Sequence, residues 1–435
     1  MRNTTRKGLA LILAILQLAV LFPLTAFAED STATNETPVL NEMKVGTVQF
    51  QSFNFLGDNE TGEDGTDYST TFYYTDDYFA PSAINDAATS RTMLWSDLDN
   101  TALATCSFDF AIASYTSAEG DVIRASSQTW NNTDYSNKDK NIKQFLGDCG
   151  FTNIEPHALT QRPTNDSIGY TLGSKEITVW NADTQKNETY TLIAVGCRGA
   201  GYGAEWASNI TIGDPATNAL PSNGRHYGFD HSAQIVCQGI RDYLSSHSIT
   251  GKVKYWVTGF SRAAAVANLV AGYLTDGGST YKTQQKDVFG YTWECPQAAK
   301  TANTNFTNYK NIHNILNPMD AVPKVSPDEF EHQRLGVDYQ MPYHGHVDSG
   351  KISNEQHTAL YNQMFEVLKT IAVGKTFNGT YTPDPLVDDK DTDTKNDGYV
   401  SPNVYPYNRV MTIRTISPTQ LISDAAKNDG TLMKN

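Results

Sequence analysis

Two spacings of apolar residues alternate along the middle of the chain. "HYGFDHSAQIVCQGIRDYLSSH" sets Ala233, Val236, Cys237, Ile240 and Leu244 three and four residues apart, which predicts a helix with one buried face. On either side lie short apolar runs of strand type: "TYTLIAVGCRG", ending at Gly199, and "VKYWVTG", which leads into the alanine-rich helix "RAAAVANLVAGYL". "KDVFGYTW" follows that helix, and "YKNIHNILNPMDAVPKV" predicts a further strand that breaks at Pro318. Earlier, "ATSRTMLWSDLDNTALATCSFDFAIAS" reads as helical, and "NIKQFLGDCGFTNI" carries Ile142, Phe145, Leu146 and Cys149 near helical spacing before a glycine stop. Strands alternating with helices of this length imply right-handed crossovers, hence an α/β fold with a mainly parallel sheet and helices on both faces.

The pattern fails at two places. Residues 29–67 are polar, acidic and rich in Gly and Asn, which predicts a flexible polar lead-in. Residues near 376–404, overlapping "TPDPLVDDKDTDTKNDGYVSPNVYPY", are acidic, proline-bearing and aperiodic, an expected loop insertion in a single domain spanning 68–435. No internal repeat is visible. Ahead of all this, "MRNTTRKGLALILAILQLAVLFPLTAFAED" has a basic end, one apolar run and the small-residue site Ala26-Phe27-Ala28. It predicts a signal peptide, residues 1–28, cut after Ala28, and so a secreted protein; an uncleaved anchor is the alternative. No later stretch approaches the roughly 20 apolar residues of a membrane span.

Charge narrows the partners. The formal net charge is −15, and removing residues 1–28 takes away Arg2, Arg6 and Lys7 and no acid, leaving −18. That balance argues against nucleic acid and anionic membranes, which need clustered Lys and Arg. Five cysteines are scattered without metal-ligand or Cys-x-x-Cys spacing, which favours buried thiols over disulfides. No metal or organic cofactor is expected, and the oligomeric state is not readable.

Ser261 is the residue that invites chemistry. It stands in "VTGFSRAAA", at a predicted strand-to-helix junction on the side of a parallel sheet where ligands bind. A serine hydroxyl that must project from so tight a turn needs small neighbours, and Gly259 and Ala263 are small. A Gly-x-Ser turn that merely caps the helix is the plainer reading of the motif by itself.

Four motifs in chain order resemble the class 3, fungal-type lipases of the α/β-hydrolase superfamily, in a version seen in secreted bacterial proteins. "VGCRGAGYGAEW" is similar to the family's Phe-Arg-Gly-Thr/Ser segment, met by Arg198 and Trp206; "HYGF" at 226–229 is similar to its His-x-Gly-Phe. "VTGFSRAAA" stands at the nucleophile elbow, and "NILNPMDAVPKV" resembles the segment carrying the acid. The likeness is strong over about 190–330 and weaker on the flanks. It implies an α/β-hydrolase fold, Ser261 as nucleophile, Asp320 as the acid that orients the base, and the backbone N–H groups of Ala200 and Arg262 as the oxyanion hole. Without the motifs around it, Asp320 would pass for a turn former. Where the usual elbow reads Gly-His-Ser-Leu-Gly-Gly, this one reads "GFSRAA", and Ala200 stands where Thr or Ser is usual, so a hydroxyl is lost from the oxyanion hole while the amide remains.

Chain order puts the base after Asp320, among His332, His344, His346 and His357. His357 opens the amphipathic stretch "NEQHTALYNQMFEVL" and is the first choice; His346 and His344, in "MPYHGHVDSG", are the alternatives. His313 precedes the acid inside a strand and reads as a core or edge residue. Residues 207–225 occupy the family's lid position but lack an amphipathic helix, so a surface connection and a gating lid both stand. The expected function is a secreted serine ester hydrolase of lipase, phospholipase A1 or carboxylesterase type, acting on lipid or other small esters. A catalytically silent binding module, or an acyltransferase or peptidase on the same scaffold, are the competing readings.

Overall fold

The computed structural model describes residues 42–50, 68–75, 79, 90–114, 139–161, 167–181, 184–199, 205, 208–209, 211–214, 216–217, 219–300, 306–316, 322–326 and 330–340. Strands β1 (Glu42–Phe50) and β2 (Tyr68–Thr75) form an antiparallel pair. β1 thus lies inside the stretch 29–67 read above as a polar lead-in. Residues 1–28 and 376–404 lie outside the described residues.

The rest of the described chain is organised by an eight-stranded sheet. Along the chain come β3 (Thr92–Leu94), α1 (Thr101–Ala113), α2 (Lys140–Asp148), β4 (Thr152–His157), β5 (Tyr170–Asn181) and β6 (Lys186–Cys197). There follow α3 (Tyr227–Ser246), β7 (Val253–Phe260), α4 (Arg262–Asp276), β8 (Val288–Trp293), β9 (Ala299–Lys300), β10 (Ile312–Leu316), β11 (His332–Gln333) and β12 (Val337–Gln340). The sheet order is β3-β12-β10-β8-β7-β6-β5-β4. Neighbours from β3 to β6 are parallel, while β6–β5 and β5–β4 are antiparallel. The mainly parallel sheet expected from the alternation of elements is therefore present, with an antiparallel edge added.

Two faces are covered by different elements because strand side chains alternate. On β7, Trp256 Nε1 donates to Ser107 Oγ (2.7 Å) and Thr258 Oγ1 donates to the Ser107 carbonyl (2.9 Å), tying that face to α1. Phe110 of α1 packs on Trp256 with ring centroids 5.0 Å apart, and Phe108 on Trp293 at 4.9 Å. The alternate β7 residues Val253, Tyr255 and Val257 share a core with Ala233, Val236 and Ile240 of α3 and the alanines of α4. Every residue of β7 is buried, which explains its unbroken apolar run: a central parallel strand has no solvent face.

The stretch read as helical from Ala88 onward divides differently. Thr92–Leu94 is edge strand β3, Trp95–Asp97 a short 3-10 turn, and the helix begins at Thr101. β3 pairs with β12, Met93 opposite Tyr339, so its conformation is set by a partner far along the chain rather than by local pattern.

Candidate functional site

β7 ends at Phe260 and α4 starts at Arg262, so Ser261 alone makes the turn between them. Its backbone has φ 59 and ψ −128, a conformation that costs a non-glycine residue about 1–3 kcal/mol. Two backbone bonds hold it there: Ser261 N–H donates to the Trp293 carbonyl (2.9 Å), and Ala264 N–H donates to the Ser261 carbonyl (2.8 Å). The neighbours are small for a geometric reason. A Cβ at Gly259 would sit 2.3 Å from the Ala263 carbonyl oxygen, far inside contact distance. The hydroxyl makes no capping hydrogen bond to α4. A serine kept for helix capping would use its oxygen on the N–H groups of the first turn; this one occupies the N-cap position and leaves that bond unmade.

Arg262 follows as the first residue of α4. Its N–H belongs to the helical first turn, whose donors have no intrahelical acceptor and point outward from the helix start. Its guanidinium is fully buried: Nε donates to Ser208 Oγ (2.7 Å), and Nη2 to Ser232 Oγ (2.9 Å) and to the Ser167 carbonyl (3.1 Å). Nearby, Arg198 and Glu205 form a buried ion pair, and Ser208 Oγ donates to the Glu205 carbonyl (2.9 Å).

Across the ladder, Trp293 is the register partner of Phe260, so Glu294 follows β8 beside the elbow. It is fully buried with φ 53, and its N–H donates to the Ile315 carbonyl (3.0 Å). β10 runs parallel to β8 and β7, which brings Leu316, four residues before Asp320 in the sequence, to the same sheet edge as Ser261. The segment after Asp320 is clamped by Arg334: Nη1 donates to the carbonyls of Pro323 (2.8 Å) and Cys295 (3.0 Å), and Nε and Nη2 grip the Asp338 carboxylate. Asp338 in turn accepts from Asn314 Nδ2 (2.9 Å), itself bonded to Asn268 and Thr292. Neither Glu294 nor this network stands out in the sequence. An isolated Glu, Arg or Asn carries no periodic signal, and only its burial marks it.

Asp320, Ala200, His344, His346 and His357 lie outside the described residues, as does Trp206. Of the histidines within them, His313 sits in the interior strand β10, stacked on Tyr291 at 4.8 Å, and burial pulls its pKa down to about 3. It is a core residue, and edge placement is excluded by strands on both sides. His332 is buried in β11 with Nδ1 bonded to Ser326 Oγ. His226 is fully buried, Nε2 against the Asn209 carbonyl (3.1 Å), its ring stacked on Phe229 at 4.0 Å. Burial and the neighbouring His332 hold His226 well below the usual imidazole range. Within 207–225, Ser208, Asn209 and Ile212 are buried, and Asp214 bridges to Ala219.

Residues 194–330, which run from the end of β6 through the elbow and past β10, match the family model described as Lipase (class 3). The match covers this stretch alone, about a third of the chain. Solved structures similar to the chain include a lipase from Rhizopus microsporus var. chinensis, at 20% identity over 55% of this chain and 74% of that one, TM-score 0.34. The Rhizomucor miehei triacylglyceride lipase follows at 16% identity over 57% and 80%, TM-score 0.34. A triacylglycerol lipase described as having a serine protease triad at its catalytic centre is 18% identical over 57% and 80%, TM-score 0.36. Comparison with curated protein sequences gave no match. The matched stretch contains Ser261, Arg262, Arg198, Glu205 and Glu294, so the strained turn and its buried supports all fall inside it.

Proposed function

We propose that the chain is a secreted serine carboxylic-ester hydrolase that works through an acyl-enzyme. One observation carries the reading: Ser261 is held at φ 59 on the tip of a buried strand-to-helix turn while its hydroxyl leaves the helix uncapped. Backbone strain of this kind persists where surrounding structure over-determines it, and here Gly259 and the β8 carbonyl do so.

In the proposed cycle Ser261 Oγ attacks the ester carbonyl carbon as His357 Nε2 takes its proton. The tetrahedral oxyanion is held by the N–H groups of Ala200 and Arg262. Collapse breaks the bond to the alcohol, which leaves with the proton from the imidazolium. Water then attacks the acyl-serine with the same base, releasing the acid and restoring Ser261. Asp320 keeps the imidazole oriented and offsets its transient charge. His346 and His344 are the alternative bases. The substrates are lipid or small carboxylic esters, and the match of residues 194–330 to the class 3 lipase family model supports that class.

The test is hydrolysis of p-nitrophenyl esters of graded chain length, with Ser261→Ala alongside. The variant is expected to lose ~10⁴-fold or more in kcat, and the chain-length optimum separates esterase from lipase. Folded protein that hydrolyses none of these esters, or a Ser261→Ala variant as active as its parent, would sink the proposal.

A further inference from the structure

The chain leading from Ser208 into α3 stands beside the elbow, because Arg262, the residue after Ser261, donates from Nε to Ser208 Oγ (2.7 Å). Its sequence fits a surface connection and a gate equally well. A gate needs ends that hinge and a body with few buried bonds. Here the carbonyls of Thr211 and Ile212 accept from the N–H groups of Gly228 and Tyr227, each at 3.0 Å. Those donors open α3, whose N-cap residue His226 makes no side-chain cap, so the connection itself satisfies them. The buried His226 ring sets Nε2 against the Asn209 carbonyl (3.1 Å). Gly228 lies so close to Ser208 that a Cβ there would stand 2.1 Å from the Ser208 carbonyl oxygen.

The other end is fixed as well. Lys300 N–H of β9 donates to the Gly224 carbonyl (2.8 Å), and Arg225 bridges to Ala299. The buried Asp230 of α3 accepts from Asn223 Nδ2 (2.9 Å), Arg225 Nη1 (3.2 Å), Gln234 Nε2 (2.8 Å) and Tyr273 OH (2.7 Å). The Arg225 guanidinium also lies 4.0 Å over the Tyr273 ring. Pulling Asn223 and Arg225 away would leave the Asp230 carboxylate buried without its cation. Between the two ends, Asp214 N–H donates to the Ala219 carbonyl (2.8 Å) and closes a tight turn. Among the described residues from 211 to 225, those exposed are Ala216, Thr217, Ala219, Ser222 and Asn223, all small or polar. A surface that docks on lipid presents Trp, Phe or Leu instead.

We propose that the protein hydrolyses dissolved, monomeric esters rather than aggregated lipid, because the connection beside its nucleophile is a fixed wall with a polar rim. This rests on the ester-hydrolase reading above and narrows its substrate class. Opening the wall would break the bonds that start α3 and those that satisfy Asp230, and an oil surface offers these groups no replacement donor or acceptor. The polar rim gives such a surface little apolar area to bind in return.

The test follows the initial rate of the full chain on tributyrin as its concentration is raised through the solubility limit, with Ser261→Ala alongside. The rate is expected to level off at the limit and stay within about twofold beyond it, since emulsion adds no dissolved ester. Hydrogen exchange at the Tyr227 and Gly228 N–H groups, followed by mass spectrometry on Ser261→Ala so that the ester is not consumed, is expected to be the same in buffer and in tributyrin emulsion. A rise in rate of ~10-fold or more on crossing the limit, or exchange at these amides accelerated ~10-fold by the emulsion, overturns the inference while the hydrolase reading stands. If the parent shows no Ser261-dependent hydrolysis of either tributyrin or dissolved p-nitrophenyl butyrate, the functional reading fails and the substrate class goes with it.

Discussion

A single methyl group tests the turn around Ser261. Gly259→Ala would push a carbon to 2.3 Å from the Ala263 carbonyl oxygen, backbone that cannot swing aside without moving the start of α4. We expect a loss of ~1–3 kcal/mol in urea denaturation and a fall in ester hydrolysis beyond what that destabilisation explains; an unchanged kcat would show that the elbow tolerates a wider turn. His313 gives a second single-residue prediction. Its folded pKa of about 3 lies below the ordinary 6.5, so between these values the unfolded chain binds more protons. Stability is then fully present above about pH 6.5 and is lost as pH falls toward 3, by ~3 kcal/mol at pH 4 from this residue. His313→Gln should flatten that part of the acid limb in urea midpoints measured from pH 4 to 7, and an equally steep limb in the variant would refute the assignment. The sequence shows Gly259 and Ser261 as a motif, and only the structure shows that the Ser261 hydroxyl does not cap α4. The same sequence leaves His313 open between core and edge, because strand order is a long-range fact.

Where elements meet, the polar clamp between β8, β10 and β12 is the feature that holds the β10–β12 side of the sheet. Arg334 joins the Cys295 and Pro323 carbonyls to Asp338, and Asn314 and Asn268 extend the network to α4, Asn268 Nδ2 donating to the Leu335 carbonyl (2.8 Å). Arg334→Met leaves the Asp338 carboxylate buried without its cation, and stability should fall by ~3–5 kcal/mol. Pairing it with Asp338→Leu should recover part of that loss, because the uncompensated charge is gone; a double variant no better than the single would mean that Asp338 is held mainly by Asn314. Elements with strong local signals are the ones legible beforehand. Ala233, Val236, Cys237, Ile240 and Leu244 are all buried on α3, and the apolar runs of β7 and β8 are fully buried strands. β3 and β12, three and four residues long, and the antiparallel edge β5–β4 are not, since short or edge strands take their form from pairing.

For the molecule as a whole, burial decides the chemistry of the cysteines. Cys106, Cys197, Cys237 and Cys295 are buried free thiols, in line with the reading from their scatter, and burial raises the last three to about 12. The folded protein should resist a soluble thiol reagent at these four positions and react at all of them in denaturant, read by mass spectrometry; labelling of any of them under native conditions would reveal local opening. Among the described residues no helix is long and apolar enough to cross a membrane. Periodicity alone was enough to establish an α/β chain with a mainly parallel sheet, because buried strands and amphipathic helices write their environment into consecutive residues. The order of the Arg-Gly, His-x-Gly-Phe, Gly-x-Ser and Asp-x-Val-Pro segments pointed to the class 3 lipases, whose family model matches residues 194–330. Tertiary structure alone decided that Ser261 is strained and uncapped, that Arg262 turns inward to grip Ser208, and that Glu294 lies buried beside the elbow. Each of these depends on groups distant in sequence meeting at one sheet edge, and no spacing along a chain records such a meeting.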